Sequence, residues 1–302
     1  MESDKNEAIK QDTKMAVVGG DARQVYLGKY LIKKGYDVDF YGFDQCEEKI
    51  NCSRTEEISN AVYQIYILPI QGCSEEGIVR CELGKEDIFL EEIPFEKLPP
   101  DTRIFAGKAN DFLKKIHSRY GVSIHELLNR EDFAVYNSIP TAEGAISIAM
   151  KHTNITLHGA EVFVLGYGRV GTTLARMLQG IGSRVTVFSK ESYELARAYE
   201  TGVRSEKLSC LHNEVDKADI IFNTIPARVV DKEILERVRR DTLIIDLASS
   251  PGGVNVDTAE KMRLKVLKVP GLPGKVAPQT AGEITGRIIL EILEGSNNEF
   301  ER

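Results

Sequence analysis

Six residues, Gly166-Tyr167-Gly168-Arg169-Val170-Gly171, constrain this chain more than any other stretch. They follow an apolar run from Glu161 to Leu165. They open a segment in which Val170, Leu174, Leu178 and Ile181 recur at helical spacing. A strand, a glycine turn and a helix in that order form the phosphate-binding turn of a dinucleotide fold. Gly166 permits the tight turn. Gly168 has no Cβ, so a pyrophosphate can approach the backbone, and Gly171 lets the helix lie close on the strand. The helix start then offers N–H groups and the positive end of its dipole to the phosphates.

The surrounding pattern fits that motif. Strands are expected at Glu161 to Leu165, Arg184 to Phe188, from Val203, Ile220 to Asn223, Leu243 to Asp246 and Leu264 to Val269. Helices at Arg169 to Ile181, Ser192 to Thr201 and Val254 to Met262 separate some of them. This alternation implies right-handed crossovers and a doubly wound parallel sheet. A second alternation precedes it. Met15 to Val18, Tyr36 to Gly42, Ala61 to Leu68 and Ile104 to Ala106 read as strands. Ala22 to Lys34 and Ala109 to Tyr120 read as helices. The fold class is therefore α/β, with two Rossmann-like domains. A substrate domain is expected at 1–140, a nucleotide-binding domain at 141–278, and a C-terminal helix (279–302) packing back on the first. A small-residue helix after Pro140, with Ala142, Ala145 and Ala149, links the two.

Composition narrows the class. The chain of 302 residues has a formal net charge of -7, which argues against nucleic-acid or anionic-membrane partners. Its five cysteines (Cys46, Cys52, Cys73, Cys81, Cys210) show no metal-ligand spacing, and its five histidines show no pairing. The first dozen residues are polar, with no signal-peptide core and an expectation of loose order, and no apolar run reaches membrane-spanning length. Cytoplasmic residence and no metal are the expectations.

The second strand should end beside the adenosine ribose, where an NAD site usually has Asp or Glu. Here Ser189-Lys190 stands at that place. A hydroxyl and an ammonium suit a 2′-phosphate, and Arg169 adds a cation, so NADP is favoured over NAD. The counter-reading is that Glu191 swings in to hold the ribose. Three more loops at strand ends complete the expected cofactor contacts. They contain Asn223, Thr224 and Pro226, then Ala248, then Gly271 and Pro273 in a rigid Pro/Gly loop. On the substrate side, Gly19 to Gln24 opens a helix positioned to bind an anion, with Arg23 to take a carboxylate or to sit in a surface ion pair. Ser138 and Thr141 read as caps of a helix start that can donate to a carboxylate. Glu143 offers a general base or a plain capping acid.

Taken together, AVVGGDARQ (16–24), YGFDQ (41–45), YNSIPTAEGAI (136–146), HGAEVFVLGYGRVG (158–171), NTIPA (223–227), LIIDLASSPGG (243–253) and PGLPGKVAPQTAG (270–282) resemble the A subunit of bacterial dipicolinate synthase. The resemblance runs over nearly the whole chain. It implies oxidation of dihydrodipicolinate, formed from 4-hydroxy-tetrahydrodipicolinate on a branch of the lysine pathway, to dipicolinate during sporulation. It also implies a mother-cell location and partnership with a flavoprotein-like B subunit. A homo-oligomer is also expected. A ring carbon would give hydride to NADP, a base would remove a neighbouring proton, and the ring would become aromatic. Two alternatives stay open: a non-catalytic NADP-binding regulatory or scaffold subunit, and another NADP dehydrogenase of the alanine dehydrogenase or methylenetetrahydrofolate dehydrogenase type.

Overall fold

The computed structural model describes residues 13–48, 50, 52–53, 58–249 and 251–295. The expected loose N-terminus and the end of the 279–302 segment lie outside these residues. The chain divides into two units, Met1–Tyr136 with Ala277–Arg302, and Asn137–Val276. The joins fall a few residues before the 140/141 and 278/279 boundaries expected from sequence.

The first unit begins with β1 (Lys14–Val18), α1 (Ala22–Lys33), β2 (Asp37–Tyr41), β3 (Cys52–Ser53) and β4 (Ile65–Ile67). It continues with β5 (Ile78–Val79), β6 (Ile88–Phe89), β7 (Arg103–Ala106), α2 (Asp111–Tyr120) and β8 (Ser123–Glu126). Helix α3 (Glu131–His152) leads into the second unit. There follow β9 (Glu161–Leu165), α4 (Arg169–Ile181), β10 (Arg184–Ser189), α5 (Ser192–Glu200), β11 (Arg204–Lys207), α6 (Leu211–Glu214) and β12 (Ile220–Asn223). Then come α7 (Lys232–Leu235), β13 (Leu243–Asp246), α8 (Val256–Lys261), β14 (Lys265–Lys268) and α9 (Leu272–Val276). Helix α10 (Pro278–Leu293) returns to the first unit.

Each unit holds a six-stranded sheet, ordered β3-β2-β1-β4-β7-β8 and β11-β10-β9-β12-β13-β14. Every pairing within these two sheets is parallel. Both orders reverse beside the first strand of the unit, which is the doubly wound topology with its ligand crevice at the carboxyl ends. The inner strands are apolar on both faces because helices cover both. In β9, Val162 and Val164 point into one core and Phe163 and Leu165 into the other. Met15 and Val17 of β1 likewise face away from Ala16 and Val18. Leu174 and Leu178 of α4 are fully buried against β9, and each contributes about 1.5–3 kcal/mol.

Helix α10 supplies Ile284, Ile288, Ile289 and Leu290 to the core built on α1 and β1. The approach is close: a Cβ on Gly282 would stand 2.4 Å from the carbonyl oxygen of Arg23. Small residues at this seam are what allow the two helices to touch.

Several elements differ from the sequence expectation. The strand expected at Ala61 to Leu68 is β4, only Ile65–Ile67, and β3, β5, β6 and β8 were not anticipated. Helix α3 does not start at Pro140 but runs through it from Glu131. Proline inside a helix removes one hydrogen bond and costs about 3 kcal/mol. Packing on either side offsets that: Phe133 is buried before it, and Ala142, Ala145 and Ala149 are buried after it. Ser138 and Thr141 are therefore mid-helix residues, not caps. The Pro/Gly loop after β14 is not wholly loop, because α9 forms inside it.

Candidate functional site

The glycine turn between β9 and α4 separates its three glycines by task. Gly166 has φ +89 and donates its N–H to the Phe188 carbonyl at 2.8 Å. A Cβ there would stand 2.6 Å from Thr224 Oγ1. A Cβ on Gly171 would stand 2.2 Å from the Gly166 carbonyl oxygen, so this glycine lets α4 pack on its own turn. Gly168 is different. It is the N-cap of α4 with φ -73 and ψ -161, a conformation open to any residue, and a Cβ would meet nothing nearer than Glu194 Oε1 at 3.8 Å. The protein does not need a glycine at 168; a ligand approaching the backbone does. The N-cap residue, a glycine, has no side chain with which to cap α4, and Gly168 and Arg169 are exposed. This cradle fits a pyrophosphate.

The corresponding turn in the first unit is closed. Asp21 caps α1 by accepting from Arg23 N at 2.9 Å, and Gln24 Oε1 in turn accepts from Asp21 N at 3.2 Å. The N–H of Gly19 goes to Tyr41 and that of Gly20 to Arg80, both at 2.8 Å. In the turn at Gly19 to Gln24, where an anion contact was expected, the N–H groups of Gly19, Gly20, Asp21, Arg23 and Gln24 bond within the protein, and the Asp21 carboxylate stands at the helix start. Arg23 is buried, and its guanidinium binds Asp21 through Nε at 2.9 Å and Nη2 at 2.7 Å. The ion-pair alternative describes this arginine, except that the pair is not on the surface.

At the end of β10, buried Ser189 donates through Oγ to Glu194 Oε2 at 2.5 Å. The same Glu194 oxygen accepts the N–H of Tyr167, inside the glycine turn, at 2.9 Å. Glu191 does not bring its carboxylate to Ser189; its backbone N–H donates to Ser189 Oγ at 3.0 Å. Its side chain pairs loosely with the exposed Lys190, at 3.6 Å. The negative charge of Glu194 raises the pKa of the neighbouring Tyr193 phenol. Sequence reasoning missed Glu194. The signal was an acid one turn into the helix that follows the ribose-side strand.

At the end of β12, Asn223 is fully buried. Its Nδ2 donates to Asp246 Oδ1 at 2.8 Å and to the Ile225 carbonyl at 3.0 Å. Thr224 Oγ1 donates to the Leu165 carbonyl at 2.8 Å. Asp246, another residue missed from sequence, also accepts from Gly253 N at 3.0 Å and Ala248 N at 3.3 Å. These groups brace the loops after β12 and β13 against one another and against the turn. Pro226 and Gly271 lie exposed at the loop tips, while Ala248 and Pro273 are buried.

Ser138 Oγ lies 2.6 Å from Thr173 Oγ1 of α4, and Thr141 Oγ1 donates to the Asn137 carbonyl at 2.8 Å. Glu143 lines a surface groove of about 580 Å³ with Ile146, Met150, Lys151, Met177 and Ile181. Met177 and Ile181 belong to the far half of α4, so the groove lies about 12 Å along that helix from the glycine turn. Among the described residues no cluster of His, Cys, Asp or Glu could hold a metal ion, and no helix is long and apolar enough to cross a membrane.

Residues 14–128 match the N-terminal domain family of the dipicolinate synthase A subunit, and residues 140–299 match the alanine dehydrogenase/PNT C-terminal domain. Over 284 residues the chain is 38% identical to the dipicolinate synthase A subunit of Bacillus subtilis (strain 168), covering 93% of this chain and 95% of the relative. The chain belongs to the dipicolinate synthase A-subunit family. The crystal structure of the dipicolinate synthase A subunit from Bacillus halodurans superposes with a TM-score of 0.87 at 39% identity, over 94% of this chain and 98% of that one. A transhydrogenase from Sinorhizobium meliloti shares the fold at 13% identity, with a TM-score of 0.69 over 93% of each chain. In this member of the dipicolinate synthase family the second unit is thus a dehydrogenase-type Rossmann domain.

Proposed function

We propose that this chain is the NADP-linked oxidoreductase component of a dipicolinate synthase, oxidising dihydrodipicolinate to dipicolinate. The observation that carries the reading is the turn at Gly168. It is uncapped, sterically open, and placed at the carboxyl end of a parallel sheet where dinucleotide folds bind their ligand. Gly168, Arg169, Val170 and Gly171 would hold the pyrophosphate, with Lys190 beside the adenosine ribose. When bound, the nicotinamide ring supplies the hydride acceptor. The protein contributes alignment, through loops fixed by the Asn223–Asp246 hydrogen bond. The substrate loses a hydride from one ring carbon and a proton from another, and aromatisation drives the step.

The family membership supports the substrate. It equally supports partnership with a B subunit, and the mother-cell cytosol for location. Lys190 supports NADP over NAD: an ammonium attracts a 2′-phosphate, and no carboxylate occupies position 189. The reading is tested by adding dihydrodipicolinate and NADP to the purified chain and following absorbance of the reduced cofactor, with and without the B subunit. Reduction of NADP with formation of dipicolinate is expected. Binding of NADP without turnover in either mixture would leave only a nucleotide-binding role.

A further inference from the structure

We infer that Glu194 is a specificity-determining residue that limits how strongly the site prefers a phosphorylated adenosine ribose. The inference rests on the dinucleotide reading above. In this fold the adenosine ribose lies beside the end of the second strand, about twenty residues after the first glycine. Ser189, the last residue of β10, holds that place and is buried. Its hydroxyl has one proton, and that proton goes to Glu194 Oε2 at 2.5 Å. One of its lone pairs takes the Glu191 N–H at 3.0 Å. Toward the ribose, Ser189 can therefore act only as an acceptor.

An acceptor suits a ribose 2′-hydroxyl, which has a proton to give. It opposes a phosphate dianion, which has none. The charge on Glu194 stands one hydrogen bond behind and acts in the same direction. Lys190 pulls the other way, but its side chain is 74% exposed, whereas Glu194 is 9% exposed. Solvent and salt screen the lysine far more than the buried acid. The two opposing groups leave the wild-type site with a narrow preference.

Glu194→Gln keeps the shape and removes the charge. Tyr167 N and Ser189 Oγ both donate to the one oxygen Oε2, so a glutamine carbonyl placed there keeps both hydrogen bonds. The test is a titration of the full chain with NADPH and with NADH, followed by cofactor fluorescence, for wild type, E194Q and Ser189→Ala. E194Q is expected to raise the NADPH-over-NADH affinity ratio about five-fold, the order expected for removing one partly screened charge from the surroundings of a phosphate. S189A removes the acceptor that suits the 2′-hydroxyl and opposes the phosphate, and is likewise expected to raise the ratio. A raised ratio in both variants supports the assignment. S189A keeps the test decisive should E194Q fail to fold. A ratio unmoved in the folded variants, with both cofactors still bound, overturns this inference alone. Binding of neither cofactor to wild type overturns the site reading and this inference with it.

Discussion

At the residue scale, the glycines at 168 and 171 belong to one motif but answer to different constraints. A methyl at 171 collides with the Gly166 carbonyl, while a methyl at 168 meets only open space and the end of Glu194. Gly171→Ala is therefore expected to destabilise the fold by about 1–3 kcal/mol, seen as a lower midpoint in urea. Gly168→Ala is expected to keep the wild-type midpoint and to weaken dinucleotide binding about tenfold or more, since each 1.4 kcal/mol of lost phosphate contact is a factor of ten. Equal midpoints for G171A and wild type, or tight binding by G168A, would reject this division. The turn itself was legible in the sequence because its spacing and context are fixed by the backbone. The partners of its side chains were not. That Arg23 folds back on Asp21, or that Glu194 reaches Tyr167, depends on rotamers and burial, which no spacing reports.

At the element scale, the strands of the second unit were legible because buried parallel strands are short apolar runs ended by turns. The edge strands of the first unit, β3 and β8, escaped notice for the opposite reason. Ser123–Glu126 is only half-buried and carries Ser, His and Glu. Pro140 misled by its usual effect on helices; long-range burial of Ala142, Ala145 and Ala149 kept α3 intact. The seam between α1 and α10 depends on small residues. Gly282→Ala places its methyl against the backbone at Arg23 and Leu27, which cannot move aside. Gly286→Ala meets only the ring of Tyr30, which can turn. G282A is expected to lose about 1–3 kcal/mol of unfolding free energy and G286A clearly less. The denaturation midpoints of the two variants decide it; a reversed order would mean the seam is not close-packed.

At the scale of the whole molecule, the chain carries two sheets of the same strand order, each with its own pair of cores. The repeated topology was visible as two alternations in the sequence, and so was the lack of a third glycine in the first turn; the Asp21 cap on that turn was not. Separate cores predict separate responses to ligand. In calorimetry, NADP at about a hundred times its dissociation constant should add about 2.7 kcal/mol to the unfolding of the unit that binds it. Protection from proteolysis is expected to concentrate in Asn137–Val276. Equal protection of the first unit would contradict an assignment of the nucleotide to the second.

The Asp21 cap over the first unit's glycines has a consequence for electron flow. On the function proposed above, a first turn taken by the chain's own carboxylate would leave the turn at Gly168 to hold the redox carrier. Under that proposal each oxidation would end with the reduced carrier departing from Gly168, and turnover would follow the supply of its oxidised form.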